Sequence, residues 1–170
     1  LGDSEDTSAL IKALLINSGI TEEFSQEVTE EVGKISENIQ AEIANRKDLR
    51  DLDIITIDGE DAKDLDDAVY VEKNEKGYKL LVSIADVSFY VKEGTELNKE
   101  AVKRGNSIYL VDRVIPMLPR KLSNNLCSLN PNEDKLTFTV EMHFDDKGKL
   151  IKNDFYRSVI KSKYRMTYTN

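Results

Sequence analysis

The 170-residue chain is 39% hydrophobic and 33% charged, enough for one domain with a real core, and no apolar run approaches the ~18 residues of a membrane span. Its single cysteine, Cys127, excludes an internal disulfide framework, so no disulfide partner, no membrane and a cytoplasmic location are expected. The net charge of -8 argues against an anionic partner only on average: residues 1–67 carry 19 acids against 6 bases, and residues 68–170 carry 13 acids against 18 bases.

In chain order, residues 1–49 read as a helical linker. Ala9 to Ser18 is an apolar segment closed by Gly19, a residue suited to the left-handed position after a helix. Ser25 reads as an N-cap, followed by Val28, Val32, Ile35, Ile39 and Ile43 at helical spacing. Asn45 to Arg50 reads as a charged junction. Beyond it the period shortens to that of strands. Ile54–Ile57 and Ala68–Val71 flank an acidic loop, and Tyr78–Ala85 pairs back across a polar turn at Asn74–Gly77. Thr95 caps a short helix that stops at Gly105, and Ser107–Val111 reads as a strand. A proline-punctuated stretch, "IPMLPRKLSNNLCSLNP", holds a helical turn or two. Leu136, Phe138, Val140, Met142 and Phe144 alternate with Thr137, Thr139, Glu141, His143 and Asp145, a half-buried strand expected to turn His143 to solvent. Asp146-Lys147-Gly148 turns the chain into a partner strand from Leu150 to Ile160. The expected fold class is α+β, with a mainly antiparallel sheet and short helices.

The segment "TIDGEDAKDLDDAV" places six carboxylates (Asp58, Glu60, Asp61, Asp64, Asp66 and Asp67) within ten residues, bracketed by apolar strands. Mutual repulsion becomes tolerable if a divalent cation neutralises the group. Mg²⁺ takes oxygen ligands, often a few carboxylates with substrate phosphate, and a two-ion site stabilises both oxygens of an in-line phosphoryl displacement. Asp58 at a strand end, with Asp64, Asp66 and Asp67 across a short loop, are placed to converge, while Lys63 offsets some repulsion. A helix-loop-helix calcium site fails on spacing: counted from Asp61 the required glycine position holds Asp66, and counted from Asp64 it holds Val69. A solvated acidic turn that binds nothing is the bland alternative. The basic run from Lys147 to Arg165, seven bases facing only Asp154, is either a phosphate-binding stripe or a solvated strand face. Cys127, between Leu126 and Leu129, reads as a buried apolar residue, and Asp86 as an acid satisfying backbone donors.

"RKDLRDLDIITIDGEDAKDLDDAV", "SIADVSFYVKEGTELNKEAVKRGNSIYL", "VIPMLPRKLSNNLCSLNPNEDKL" and "YRMTYTN" follow one another in the order of the ribonuclease II and ribonuclease R family, which the chain resembles over residues 46–170. The detail of "GEDAKDLDDAV" is similar to the ribonuclease R branch. Where that branch often has histidine, this chain has Ser83 and Phe89.

The resemblance implies a processive 3′–5′ exoribonuclease that takes the 3′ end of single-stranded RNA and releases 5′-mononucleotides. It implies Mg²⁺, with Mn²⁺ as a substitute, held by Asp58, Asp64, Asp66 and Asp67, with Asp66 the most costly to replace. The family's base-stacking aromatic falls on Tyr109, which on pattern alone reads as a packing residue, and a sugar-contacting tyrosine falls on Tyr168. It further implies a division into a helical linker, 1–49, and the N-terminal half of the catalytic domain, 50–170. Cold-shock-like and S1-like RNA-binding domains are expected elsewhere in a longer protein. Because the family's catalytic domain continues beyond Asn170, this piece alone is expected to be inactive. A non-catalytic RNA-binding scaffold on the same fold is the rival reading.

Overall fold

A computed structural model describes residues 7–169; the outer ends of the two-part division, residues 1–6 and 170, lie outside the described residues. Helix α1 (Thr7–Asn17) ends where Gly19 takes φ +68° and the Ile20 N–H reaches back to the Leu15 carbonyl at 2.9 Å, a left-handed C-terminal closure. Helix α2 (Gln26–Lys34) starts at Ser25, whose hydroxyl accepts from the Val28 N–H.

The apolar stripe predicted as one helix is broken. After α2 the backbone extends at Ile35 and resumes only in α3 (Gln40–Ile43). The Asn38 N–H donates to Ser36 Oγ, and the Gln40 N–H to Asn38 Oδ1. These local side-chain bonds offer the backbone an alternative to the helix ladder. Lys121 closes the end of α2, its Nζ donating to the carbonyls of Val32 (3.2 Å) and Ile35 (3.0 Å). Val28, Val32 and Ile39 are buried in the main core all the same.

The predicted charged junction holds a short strand, β1 (Lys47–Asp48), paired in parallel with residues 158–159 near the chain's end. Then come β2 (Ile55–Asp58), β3 (Asp67–Asn74), β4 (Gly77–Ala85), helices α4 (Val87–Tyr90) and α5 (Glu96–Arg104), and a small hairpin of β5 (Ile108–Tyr109) with β6 (Val114–Ile115). The proline-rich stretch contains a π-helical turn, Leu122–Leu126. Strands β7 (Asp134–Phe144), β8 (Leu150–Lys161) and β9 (Tyr164–Thr167) complete the chain. The main sheet runs β1-β8-β7-β4-β3-β2-β9 and is antiparallel except at its two outer pairs, so the α+β expectation holds. The turn between β3 and β4 requires its glycine: Gly77 has φ +130°, and a Cβ there would fall 2.1 Å from the Phe144 carbonyl oxygen.

The period of β7 is as predicted, but its buried face is not. Thr137 and Thr139 are fully buried, whereas Phe138 is 44% exposed. The hydroxyls are affordable inside because they satisfy one another: Ser83 with Thr139 at 2.7 Å, Thr139 with Ser158 at 2.6 Å, and Ser158 with Thr137 at 2.7 Å. His143 is not left to solvent alone, since its Nε2 lies 2.9 Å from Glu141 Oε1. The opposite face is apolar and open. Val69, Val82, Val140 and Phe155 lie abreast in register beside the Ile84–Phe138 pair.

Candidate active site

The acid loop spans residues 59–66, between Asp58 at the end of β2 and Asp67 at the start of β3. Three anchors fix it. Leu65 is sunk into the core. The buried Ser128 hydroxyl donates to the Lys63 carbonyl (3.0 Å) and accepts from the Leu65 N–H (3.1 Å), while the Leu129 N–H bonds the Leu65 carbonyl at 2.7 Å. From β9, Arg165 Nη2 lies 3.2, 2.6 and 2.9 Å from the carbonyls of Gly59, Glu60 and Ala62. A guanidinium on these carbonyls fixes the loop's shape and adds positive charge beside its acids. Glu60 is not one of the converging acids, and its Oε1 accepts from the Thr169 hydroxyl at 2.7 Å. Ser128→Ala should leave the Leu65 N–H unpaired in the core, lowering the unfolding free energy by about 1–3 kcal/mol in a urea titration.

Of the four aspartates expected to act together, Asp58, Asp66 and Asp67 each offer an oxygen within 4.8 Å of the others. Asp64 falls outside that group, and its Oδ2 instead accepts from the Tyr109 hydroxyl at 3.0 Å. Burial raises the Asp58 pKa above the ordinary carboxylate value; Asp67 and Asp66 add to the rise, and Arg165 opposes it. Burial also raises Asp66, with Asp67 and Asp64 adding repulsion. The Tyr109 phenol is pushed up by its bond to Asp64 and then by burial.

A cation suits this donor set on the evidence of the fold itself. Among the described residues, Asp58 Oδ2 is buried with neither a hydrogen-bond nor an ion-pair partner. A buried acceptor without a donor is costly unless something positive takes it up. All donors are hard oxygens, the kind Mg²⁺ and Mn²⁺ take.

Asp58, Asp64 and Asp66 line a cleft of 1020 Å³, together with Tyr109, Arg113, Arg120, Asn124 and Arg165. Tyr109, on β5, is 67% exposed, so it is not the packing aromatic its pattern suggests. Tyr168 is brought beside the cluster by the β2–β9 pairing, its N–H donating to the Asp58 carbonyl at 3.3 Å and its side chain largely exposed. Arg113 is engaged by Asp112 and Glu22. Arg120 has no ion pair or hydrogen bond among the described residues. The basic run from Lys147 does not form one stripe at the cleft: Lys161 pairs with Asp134, Lys163 bonds the Arg50 carbonyl, and Arg165 holds the acid loop. Cys127 is no nucleophile, since burial pushes its thiol up to about 12. Asp86 does not serve backbone donors as expected: its side chain makes no cap bond to α4, and instead accepts from the Ser88 hydroxyl at 2.7 Å and is ion-paired with Arg46 at 2.7 Å. Another cavity, of 680 Å³ beside α1, gathers no comparable set of acids.

Sequence reasoning missed Ser128 and Arg165 as supports of the loop. The signal for each lay in a quoted motif, "NNLCSLNP" and "YRMTY", but not the fact that both reach residues 59–65.

Comparison with known proteins decides the family. The RNB domain model matches residues 46–170. The chain belongs to the RNB family. It is 52% identical over 172 residues to ribonuclease R of Thermotoga maritima, an alignment that takes in 99% of this chain and 24% of the relative. The solved ribonuclease R of Mycoplasma genitalium in complex with ribose-methylated single-stranded RNA superposes with a TM-score of 0.94 at 39% identity, covering 99% of this chain and 27% of that one. Yeast Ssd1, described as a pseudonuclease, shares the fold at a TM-score of 0.81 and 20% identity, over 98% of this chain and 22% of its own. The RNB chain thus spans about a quarter of the length of the relatives it matches.

Proposed function

We propose that this RNB chain is part of a processive 3′–5′ exoribonuclease that hydrolyses single-stranded RNA to 5′-mononucleotides. One observation carries the reading: the carboxylates of Asp58, Asp66 and Asp67 converge, Asp58 has a buried oxygen without a partner, and Asp58 and Asp66 line a cleft that also exposes an aromatic ring and an arginine. Asp58, Asp66 and Asp67, with Asp64 nearby, would hold Mg²⁺, or Mn²⁺ in its place. A bound divalent ion supplies Lewis acidity, lowering the pKa of the attacking water and stabilising the departing oxygen.

The chain's own residues do the rest. The carboxylates orient the water, whose oxygen attacks the last phosphodiester. The bond from phosphorus to the 3′ oxygen breaks, giving a 5′-mononucleotide and a strand one residue shorter with a free 3′ hydroxyl. The Tyr109 ring offers a stacking platform, which suits any base because each has a π-face. Tyr168, whose N–H reaches the Asp58 carbonyl, would contact the sugar near the scissile bond, and a bond to the 2′ hydroxyl would favour RNA over DNA. Residues 1–49 act as a linker ahead of the catalytic domain, of which 50–170 form the first half, although α2 shares the domain's core. Cold-shock-like and S1-like domains in a longer cytoplasmic protein would deliver the strand, and the piece alone would be inactive.

Incubating the full-length protein with 5′-labelled single-stranded RNA tests this. Step-by-step shortening from the 3′ end with Mg²⁺, stopped by a chelator, is the expected result. RNA that is bound but stays intact would establish the scaffold reading instead.

A further inference from the structure

Tyr109 presents two chemically separate parts to the cleft. Its ring is exposed, and its hydroxyl is fixed on Asp64 Oδ2 at 3.0 Å. Asp64 is the one acid of the expected four that stands apart from the converging three. No arginine or lysine pairs with it among the described residues. Its one recorded side-chain partner comes from a different element, the β5–β6 hairpin, which packs over the loop from 45 residues downstream.

We propose that the Tyr109 hydroxyl is a positioning group for Asp64, so that one side chain both orients an acid beside the metal cluster and supplies the base platform. The inference rests on the metal-dependent reading above. With Oδ2 holding the phenol, Oδ1 keeps its full acceptor capacity for a metal ion or its water. A free aspartate on a loop samples several rotamers, and each is lost on ligation. A donor that fixes the carboxylate beforehand removes that cost, and loss of such outer partners typically lowers metal affinity by about 10–100-fold. The arrangement also ties the stacking platform to the hydrolytic cluster: a ring shifted by an ill-placed base would pull its hydroxyl from Asp64. Correct seating of the terminal base and correct placement of the acid thereby become one event.

Tyr109→Phe keeps the ring and removes only the hydroxyl, whereas Tyr109→Ala removes both. In the full-length protein, Mn²⁺ binding followed by electron paramagnetic resonance should weaken about tenfold in Tyr109→Phe. Affinity for a short labelled RNA, measured in chelator, should hold in Tyr109→Phe and weaken about fivefold or more in Tyr109→Ala. Mn²⁺ binding that is unchanged or tighter in Tyr109→Phe, with Asp66→Asn impaired as expected, would overturn the positioning role alone. A wild-type protein that binds no Mn²⁺, or an Asp66→Asn variant that binds it equally well, would bring down the metal reading and this inference with it.

Discussion

Replacing Asp66 by asparagine in the full-length protein is expected to lower the rate of RNA hydrolysis by about a thousandfold or more while RNA still binds. The amide keeps the shape of the side chain but removes the negative charge that would fix the ion against Asp58 and Asp67. Single-turnover cleavage beside an RNA-binding titration separates the two effects. The same change should not lower the melting temperature of the metal-free protein. Burial and neighbouring acids raise the Asp58 and Asp66 pKa values, which means the ionised cluster strains the fold. The sign follows. A carboxyl raised in the folded state contributes stability below the unfolded value of about 3.9, and that contribution is lost as pH rises through the folded value. Acid should therefore relieve the empty loop. It should also weaken metal binding and hydrolysis, because protons compete for the same oxygens. A variant that loses activity and also unfolds at lower temperature would mark Asp66 as a structural residue.

Arg46→Met should destabilise the fold by about 3–5 kcal/mol, a large share of the 5–15 kcal/mol of an ordinary domain. The Arg46 side chain is fully buried and that of Asp86 nearly so, at 2.7 Å. The contact is short but poorly directed for a hydrogen bond, so the pairing is chiefly ionic. Arg46 also donates to the Thr137 carbonyl and lies over the Phe89 ring. It thereby fastens the segment between α3 and β1 to the sheet and to the β4–α4 corner. Removing it strands a buried carboxylate. Burial opposes ionisation of Asp86, but the Ser88 hydroxyl and Arg46 outweigh burial and hold its pKa below the usual value. Its contribution is therefore present above about pH 3.9 and is lost as pH falls through the folded value. Urea titrations of Arg46→Met, Asp86→Asn and the double variant check this: the double change should cost less than the sum of the singles. Additive costs would show that the two side chains act independently.

How much of this was legible depends on the range of the interaction. Ser25, Thr95 and Gly105 cap helices as read, because capping is settled within three or four residues. The acid loop stood out because its residues are adjacent. The strand β7 shows where locality ends. Alternation fixed its period, but whether Thr137 or Phe138 faces inward turns on Ser83 and Ser158, which lie in other strands. The break after Lys34 was masked because Ile35 and Ile39 reach the core from an extended segment as well as from a helix. In the candidate site, the chain order could not separate Asp64 from the three converging acids, nor show that Arg165 grips a loop over 100 residues earlier. Both depend on β9 and the β5–β6 hairpin closing over residues 59–66.

The most direct measurement is a crystal structure of the full-length protein with RNA and Mn²⁺, using anomalous scattering to place the ion. The account predicts an anomalous peak among the carboxylates of Asp58, Asp66 and Asp67, next to the terminal phosphodiester. RNA seated in the cleft with no peak there, or with the ion held by other residues, would contradict it.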